Sequence, residues 1–306
     1  MTIAATNPLG LGTVQFGQNY GITNQVGRVP EDEVRNILTL AHASGLRVLD
    51  TAPSYGKSEA VLGKLLQGSA EWRIVTKTPK FQDLKTPNMV RRRLAESVAS
   101  SLAALSVSSL YGLLVHDADD LTGNNGSVLW DALAELRAQG VVQKIGASVY
   151  GSGQVERLLG MFDLDLIQLP LSAVDQRMVK CGLVTELARV GIEIHARSVF
   201  LQGLLLADPK SIDPAFGSLS NAVSALHAAW RKEGLTPLEG ALGAVLLQPE
   251  IDRVILGITS TAELRQITAA QHKISLFPGR SAIELQAIDD ENIVNPARWG
   301  RFPVRN

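Results

Sequence analysis

The stretch "VLDTAPSYGKSEAVLG", residues 48–63, contains one complete unit of the fold. A short apolar strand ends at Asp50, a loop with a proline follows, and "SEAVLGKLL" has the apolar spacing of a helix. A helix between two short buried strands crosses over the sheet and makes the strands parallel. The stretch also poses a chemical question, because a hydrophobic strand ends in an acid and holds a tyrosine, Tyr55, just beyond it.

The same alternation of strand-like and helix-like segments continues along the chain and makes eight units. Eight units in 306 residues predict an α/β fold, a closed (β/α)8 TIM barrel, rather than an open sheet. No linker, low-complexity tract or composition break divides residues 1–306, so we expect a single domain. Two segments lie outside the eight units, an extra helix near 221–234 and a C-terminal helix and tail from about residue 281.

The composition excludes several classes of protein. The formal net charge of −1 gives no electrostatic footprint for nucleic acid or for an anionic membrane. The longest apolar runs, such as "ALGAVLL", are much shorter than the ~20 residues that span a bilayer. The start "MTIAATNPLGLG" lacks the build of a signal peptide, and the one cysteine, Cys181, forms no intramolecular disulfide. We therefore expect a soluble cytoplasmic protein that binds neither nucleic acid nor membrane.

Five consecutive strands, the second to the sixth, end in polar residues: Asp50, Lys77, His116, Ser148 and Gln168. In a (β/α)8 barrel the chemistry lies at the C-terminal ends of the strands, so these side chains should meet at one mouth. Each residue alone is more often structural, as a turn cap, a core histidine or a lysine that reaches solvent. Together they argue for a site, because buried charges that are not paired cost several kcal/mol.

Asp50 and Lys77 end neighbouring strands and should form an ion pair. A cation beside the phenol of Tyr55 would stabilise the phenolate, which predicts a pKa below the usual value of about 10. A tyrosine with a lowered pKa can act as a general acid. The sequence thus predicts that Asp50 positions Lys77 and that Lys77 activates Tyr55.

Several motifs resemble those of the aldo-keto reductase family, in the expected order. "VLDTAPSYGKSEAVLG" is similar to the family signature, "IVTKTP" to its lysine strand and "LLVHDAD" to its histidine strand. "KIGASV" and "IQLPLS" resemble the strands that hold the nicotinamide carboxamide, and the resemblance extends from Leu9 to about Ala270. It implies an NAD(P)H-dependent oxidoreductase that reduces an aldehyde or ketone, such as a sugar or an anionic carbonyl compound, by hydride transfer without a metal.

The resemblance assigns roles to residues of the site. Tyr55 is implied to be the proton donor, Asp50 and Lys77 the pair that tunes its pKa, and His116 the group that orients the carbonyl. No GxGxxG motif follows the first strand, and the family places its cofactor extended across the barrel mouth instead. The implied cofactor contacts are Gly12, Thr13, Asp50, Ser148, Gln168, Arg197, Ser198, Gly203, Gly257, Thr259, Ser260, Glu263 and Gln266.

Some positions depart from the family pattern. Val149 stands where asparagine is usual, which removes one amide contact. Arg197 stands where an aromatic residue usually stacks on the nicotinamide. It could stack there, reach the pyrophosphate, bind an anionic substrate, or lie outward in a rim salt bridge. Gly257 and Glu263 stand where basic residues often bind the 2′-phosphate, so family habit favours NADP(H) while these residues leave NAD(H) open.

Loops form the substrate pocket, and the sequence offers aromatic side chains for its lining. Each of them would suit ordinary packing equally well. The candidates are Phe16, Tyr20, Trp130, Phe200 and, in the tail, Trp299 and Phe302.

Two other functions fit parts of the sequence. A catalytically silent, nicotinamide-binding regulatory subunit could share the fold, although the complete set of catalytic positions argues against it. A barrel lyase or aldolase would use Lys77 as a Schiff-base amine, but Asp50 would keep that amine charged. Turnover of a generic aldehyde separates a reductase from the silent subunit, and borohydride trapping would reveal the Schiff base.

Overall fold

The computed structural model describes residues 7–67, 71–277 and 283–301, except for the side chains of residues 300 and 301. Eight parallel strands pair in chain order and the last pairs with the first, so the sheet closes into a barrel. The predicted single-domain (β/α)8 barrel is thereby confirmed. The strands are β1 (Leu9–Gly12), β2 (Val48–Asp50), β3 (Arg73–Lys77), β4 (Leu110–Val115), β5 (Val142–Ser148), β6 (Leu166–Pro170), β7 (Glu193–Arg197) and β8 (Arg253–Gly257).

Helices cover the outside of the barrel and bury one apolar face, as in Glu31–Ala43, where Val34, Ile37, Leu38 and Ala41 recur at helical spacing. None of the helices in the described ranges is long and apolar enough to cross a membrane. They are α1 (Val14–Gly17), α2 (Glu31–Ala43), α3 (Ser58–Leu66), α4 (Pro87–Leu105), α5 (Asp119–Thr122), α6 (Gly126–Ala138), α7 (Ser152–Leu159), α8 (Arg177–Lys180), α9 (Leu183–Arg189), α10 (Leu219–Lys232), α11 (Pro237–Leu246), α12 (Thr261–Ser275) and α13 (Glu291–Val294), with short 3₁₀ helices at Leu201–Gly203, Pro209–Ser211, Pro214–Phe216 and Pro296–Arg301.

A small apolar cluster fills the barrel interior beneath the mouth, and its positions along the strands show which way the polar side chains point. Its members are contributed by five strands, and four of them lie two residues before a predicted polar site residue. Since side chains along a strand alternate between faces, the polar strand ends point into the barrel above this cluster. The cluster comprises Val48, Val75, Leu114, Leu166 and Ile255.

The segments outside the eight units differ in outcome. The extra helix expected near 221–234 is observed as α10. The expectation of a C-terminal helix is wrong for residues 283–290, which contain no helix. In that segment the backbone N–H groups of Gln286 and Ile288 donate to carbonyl oxygens in the loop after β6. These tertiary hydrogen bonds hold the segment against the barrel and take the place of bonds within a helix.

Candidate active site

One cavity at the C-terminal mouth of the barrel collects the polar strand ends. Its volume is about 1070 Å³, which is large for a small-molecule site. The four residues predicted to be catalytic, Asp50, Tyr55, Lys77 and His116, all lie in its wall. The barrel brings them together because they follow three neighbouring strands, β2, β3 and β4.

A buried ion pair joins β2 and β3 at the base of this cavity. Nζ of Lys77 lies 2.6 Å from Oδ1 of Asp50, as the sequence predicted, and Lys77 is only 1% exposed. The ammonium group also donates to the carbonyl oxygen of Thr51 at 3.1 Å. Burial alone would lower the pKa of Lys77, but Asp50 and Tyr55 outweigh burial and raise that pKa. Lys77 is therefore an ammonium ion rather than a neutral amine.

Tyr55 lies half-buried beside this pair, with Nζ of Lys77 4.9 Å from the centre of its ring. Burial raises the pKa of Tyr55 above its usual value of 10.0, and this effect outweighs the opposing charge of Lys77. The prediction of a lowered Tyr55 pKa is therefore wrong. The physical reason is twofold, because the phenol is desolvated and the carboxylate of Asp50 opposes the lysine. Tyr55 carries its proton at neutral pH.

His116 follows β4 and faces Tyr55, with the two ring centres 6.1 Å apart and the ring planes nearly perpendicular. Burial lowers the pKa of His116 to about 4, and the charges of Lys77 and Arg197 also lower it. The imidazole is thus neutral at physiological pH and has one N–H to donate. Its Nδ1 lies 3.5 Å from Oγ of Ser54 at the cavity edge.

On another side of the mouth Ser148 ends the buried strand β5. Gln168 lies within β6, which extends to Pro170, two residues beyond the end that the sequence predicted. Nε2 of Gln168 donates to Oδ1 of Asp50 at 2.8 Å, so the glutamine belongs to the same network as Lys77. The hydrogen bonds from Lys77 and Gln168 together fix the carboxylate of Asp50 in one orientation. Ser148 is 2% exposed and lies in the cavity wall.

The residues implied to bind a cofactor come from six strands, the loops after them and the helix α12, and all but Ser260 lie in the cavity wall. Ser260 instead caps α12, because its Oγ accepts a hydrogen bond from the backbone N–H of Glu263 at 3.2 Å. The implied residues that line the cavity are Gly12, Thr13, Asp50, Ser148, Gln168, Arg197, Ser198, Gly203, Gly257, Thr259, Glu263 and Gln266.

The start of α12 presents an acid to the cavity. The carboxylate oxygens of Glu263 accept hydrogen bonds from N and Oγ1 of Thr259 at 2.7 and 2.9 Å. Gln15 takes the space beside Gly257, where an added Cβ would lie 2.7 Å from Nε2 of Gln15. Arg265, the nearest cation in the sequence, is exposed and does not line the cavity.

Arg197 ends β7 and lies half-buried in the cavity wall. Its Nη2 donates to the carbonyl oxygen of Val149 at 2.9 Å, and its Nη1 donates to Oγ of Ser198 at 3.2 Å. Its Cζ lies 4.2 Å from the centre of the Tyr150 ring, which is a cation–π contact. Within the described part of the chain no carboxylate pairs with Arg197, which excludes the rim salt bridge.

The aromatic candidates for the pocket divide into two groups. Tyr20 and Phe200 line the cavity. Phe16 is buried in the main core, and Trp130 packs on Phe162 with ring centres 4.9 Å apart. These two aromatic side chains therefore serve packing.

The tail reaches the cavity through Pro296 and Ala297, which line it. Trp299 packs edge-on against Phe216, with ring centres 5.0 Å apart, in a cluster beside the barrel. Phe302 lies outside the described residues.

Sequence reasoning missed several residues of the wall. Tyr150 follows β5 by two positions, so extending the strand-end rule into the loop would have found it. Gln15 carries a buried Oε1 that has no hydrogen-bond partner among the described residues. Gln202 accepts hydrogen bonds from Ile22 at 3.0 Å and Thr23 at 2.7 Å, and contacts so distant along the chain leave no local signal.

The arrangement brings a protonated phenol, a neutral imidazole and an ammonium ion together in the wall of one cavity. Among the residues that the structure describes, no group of three or more His, Cys, Asp or Glu side chains could hold a metal ion. A phenol that carries its proton and a neutral imidazole can both donate hydrogen bonds to an oxygen atom held between them.

The protein is a closed (β/α)8 barrel whose mouth holds a cluster of Asp, Tyr, Lys and His side chains. The family model described as the aldo/keto reductase family matches residues 8–280. The chain belongs to the aldo/keto reductase family, as its motifs predicted, and the names of its relatives support an oxidoreductase. Aldo-keto reductases use nicotinamide cofactors.

Three curated relatives illustrate the range of the similarity. The chain is 30% identical to a D-threo-aldose 1-dehydrogenase of Pseudomonas over 66% of this chain and 68% of the relative. It is 27% identical to an aldo-keto reductase of Strobilurus tenacellus over 87% and 83% of the two chains. It is 25% identical to an NADH-specific methylglyoxal reductase of Escherichia coli over 86% and 89%.

Solved structures show the same fold. The holo form of an aldo-keto reductase from Bacillus halodurans superposes with a TM-score of 0.75 at 20% sequence identity. The similarity covers 94% of this chain and 95% of that one.

Proposed function

We propose that the protein reduces an aldehyde or ketone, with a nicotinamide cofactor as the source of hydride and Tyr55 as the proton donor. The observation that carries this proposal is the buried Lys77–Asp50 pair, 2.6 Å apart, beside a protonated phenol and a neutral imidazole. Such a group of side chains is suited to developing negative charge on an oxygen atom.

The cavity fits a nicotinamide cofactor in size and in the polarity of its wall. Ser148 and Gln168 offer a hydroxyl and an amide at the base, where they would hold the carboxamide. The Oε1 of Gln15, which has no partner among the described residues, offers a further acceptor. A bound nicotinamide would supply the hydride to the carbonyl carbon.

The side chains of this protein would control the proton. Tyr55 donates its phenolic proton from Oη to the carbonyl oxygen as negative charge develops there. Lys77 stabilises the phenolate that remains, and Asp50 keeps Lys77 charged and in place. The neutral His116 donates its N–H to the same oxygen and thereby orients the carbonyl.

A Schiff-base mechanism at Lys77 lacks support. Formation of a Schiff base requires a neutral amine, which enzymes obtain by lowering the pKa of the lysine. The carboxylate of Asp50 does the opposite, because it helps to raise the pKa of Lys77. Borohydride trapping with an aldehyde should therefore leave Lys77 unmodified.

The names of the relatives support a small polar substrate. They include a D-threo-aldose 1-dehydrogenase, an L-galactose dehydrogenase and a methylglyoxal reductase. A half-polar cavity wall with hydroxyl and amide groups suits such a carbonyl compound.

For the cofactor we infer a preference for NAD(H), although family habit favours NADP(H). The carboxylate of Glu263 can accept a ribose hydroxyl and repels a 2′-phosphate. Gly257 and Gln15 supply no positive charge nearby, and Arg265 lies outside the cavity wall. One of the relatives is named NADH-specific.

Fluorescence titration tests the cofactor preference. We expect NADH to bind about tenfold more tightly than NADPH, and Glu263→Gln to narrow this ratio by improving NADPH binding. Glu186→Gln is the control, since Glu186 is an exposed acid of α9 that pairs with Arg189. Tighter binding of NADPH than of NADH by the unaltered protein would contradict the inferred preference for NAD(H).

Turnover tests the main proposal. We expect the protein to reduce an aldehyde with NADH or NADPH, and Tyr55→Phe to lose about 10²-fold or more of kcat with nearly unchanged cofactor binding. Tyr111→Phe is the matched control, because it removes a phenolic hydroxyl at the start of β4, outside the cavity. Equal turnover by Tyr55→Phe and the unaltered protein would remove Tyr55 from the mechanism.

The same measurements separate a silent subunit from an enzyme. Cofactor binding without reduction of any aldehyde in a broad screen would favour the regulatory subunit. A folded protein that binds neither cofactor would contradict both functions.

A further inference from the structure

Arg197 is a cation in the cavity wall whose charge is not neutralised by any described residue. Lys77, which also lines this cavity, is paired with Asp50 at 2.6 Å. The carboxylate of Glu263 is bonded to Thr259, not to Arg197. A half-buried guanidinium without a counter-ion is costly in a structural role and suits the binding of an anion.

Contacts on two sides fix the orientation of this guanidinium. The carbonyl oxygen of Val149 and the hydroxyl of Ser198 accept hydrogen bonds from its Nη2 and Nη1. The ring of Tyr150 covers it at 4.2 Å. An arginine has five N–H donors, so these two hydrogen bonds leave three without a partner among the described residues.

The guanidinium lines the same cavity as the proposed catalytic residues. Its charge contributes to the electrostatic environment of both Tyr55 and His116. The charge of Arg197 also acts to lower the pKa of Tyr20, which lines the same cavity, although burial raises that pKa overall. An anion on Arg197 would therefore belong to a molecule whose reacting group lies close to the phenol and the imidazole.

We propose that Arg197 binds a carboxylate or phosphate group of the carbonyl substrate, so that the protein reduces anionic aldehydes or ketones. This inference rests on the proposed function and adds the substrate class to it. The site is formed by Arg197, held by Val149 and Ser198 and covered by Tyr150. Bidentate hydrogen bonds from a guanidinium match the geometry of both anions.

Binding of inert ligands tests this proposal without turnover. Benzoate and benzamide have nearly the same shape and differ in charge, and phenyl phosphate provides the second anion. We expect benzoate or phenyl phosphate to bind about tenfold more tightly than benzamide in calorimetric titrations, with and without oxidised cofactor. The tighter of the two anions identifies the group that the site prefers.

Variants of Arg197 connect the preference to this side chain. Arg197→Met removes the charge, and we expect the affinity of this variant for the anion to lie within about twofold of its affinity for benzamide. Arg197→Lys retains the charge without the planar fork and should keep part of the preference. Arg265→Met is the control, because it removes an exposed arginine outside the cavity wall.

Two results of these binding measurements would overturn the proposal. The first is equal affinity of the unaltered protein for benzamide and both anions. The second is an anion preference that survives in Arg197→Met. If Arg197→Met instead weakens cofactor binding while the anion preference persists, the guanidinium serves the cofactor, which also overturns the proposal.

A kinetic comparison separates this proposal from the proposed function. The ratio of kcat/KM for 4-carboxybenzaldehyde to that for 4-carbamoylbenzaldehyde should be about ten in the unaltered protein and fall toward one in Arg197→Met. No turnover of either aldehyde, together with intact anion binding, would refute the reductase and leave the anion site standing. Turnover of both with a ratio near one in the unaltered protein would refute the anion site and leave the reductase standing.

Discussion

At the scale of single residues, the positive charge of Lys77 does not lower the pKa of Tyr55 below its usual value, although the two side chains are close. Its ammonium group lies 4.9 Å from the ring of Tyr55, yet burial raises the pKa of the phenol. Asp50 accounts for part of this result, since it neutralises Lys77 at 2.6 Å. Tyr55 therefore keeps its proton until negative charge develops on the substrate oxygen during the reaction. Lys77 then stabilises the phenolate that proton transfer leaves behind.

The charge states of Tyr55 and His116 predict how reduction depends on pH. The pKa of His116 is about 4 and that of Tyr55 lies above 10.0, so neither group titrates from roughly pH 5 to pH 9. We expect kcat/KM for reduction to be flat over this range and to fall at higher pH, where Tyr55 loses its proton. Oxidation of an alcohol needs the phenolate as a base and should accelerate as the pH rises. Initial rates in both directions check this, and a reduction profile centred on neutral pH would contradict it.

The Asp50–Lys77 pair predicts a large effect on stability. Asp50→Asn keeps the shape of the side chain but leaves the buried Lys77 without a counter-charge. Removing one partner of a buried pair costs about 3 kcal/mol or more, so we expect the free energy of unfolding in urea to fall by about that amount. Lys64→Met is the control, because Lys64 forms an exposed pair with Glu31, and we expect this variant to change the free energy of unfolding far less.

A double variant checks that the loss arises from the pair. Asp50→Asn combined with Lys77→Met removes both charges and should recover part of the stability lost in Asp50→Asn alone. Strictly additive losses in the double variant would mean that the two residues act independently.

At the scale of elements, the strand ends were predictable from the sequence and the loops were not. Asp50, Lys77 and His116 could be placed because a parallel strand carries its last residue to one fixed edge. The direction of Arg197 could not, since it depends on Tyr150 and Val149 in a loop distant in sequence. The pKa of Tyr55 was misjudged for a related reason, because the depth of its burial is a property of the packed loops.

The C-terminal segment shows the same limit in the prediction of elements. Residues 283–290 have apolar residues at intervals that suit a helix, but the structure uses Ile283 as an anchor in the cluster beside the barrel. Hydrogen bonds from the backbone N–H groups of Gln286 and Ile288 to the loop after β6 then fix a backbone that is not helical. Such tertiary partners outweigh a local helical preference and cannot be read from the segment itself.

Helix caps yield a prediction at this scale. Thr236 and Glu239 form a complete capping box at the start of α11, in which each side chain bonds the other's backbone N–H. Thr236→Ala should lower the free energy of unfolding by about 1 kcal/mol. Thr86 caps α4 through one longer contact of 3.4 Å to Met89, so Thr86→Ala should cost less. Urea unfolding of both variants gives the comparison, and a larger loss in Thr86→Ala would contradict it.

At the scale of the whole molecule, β7 connects two polar ends of the barrel. One face of this strand carries three polar residues two positions apart, Glu193, His195 and Arg197. Arg197 lies in the mouth, and Glu193 lies at the opposite end of the barrel. Glu193 accepts hydrogen bonds from Tyr111 at 2.5 Å and from Lys144, and it lies 2.8 Å from Nε2 of His195. This network joins β4, β5 and β7 near their N-terminal ends, and we call it the floor of the barrel.

The floor of the barrel predicts how stability depends on pH. Burial alone would raise the pKa of Glu193, but His195, Lys144 and Tyr111 outweigh burial and hold that pKa well below its usual value of 4.5. A depressed pKa in the folded state stabilises the fold above the unfolded value and loses that effect as the pH falls through the folded value. We expect Glu193→Gln to cost about 2 kcal/mol in urea unfolding at neutral pH, and the difference from the unaltered protein to shrink below about pH 4. A difference that stays constant down to about pH 3 would mean that Glu193 supports the floor by packing alone, without its charge.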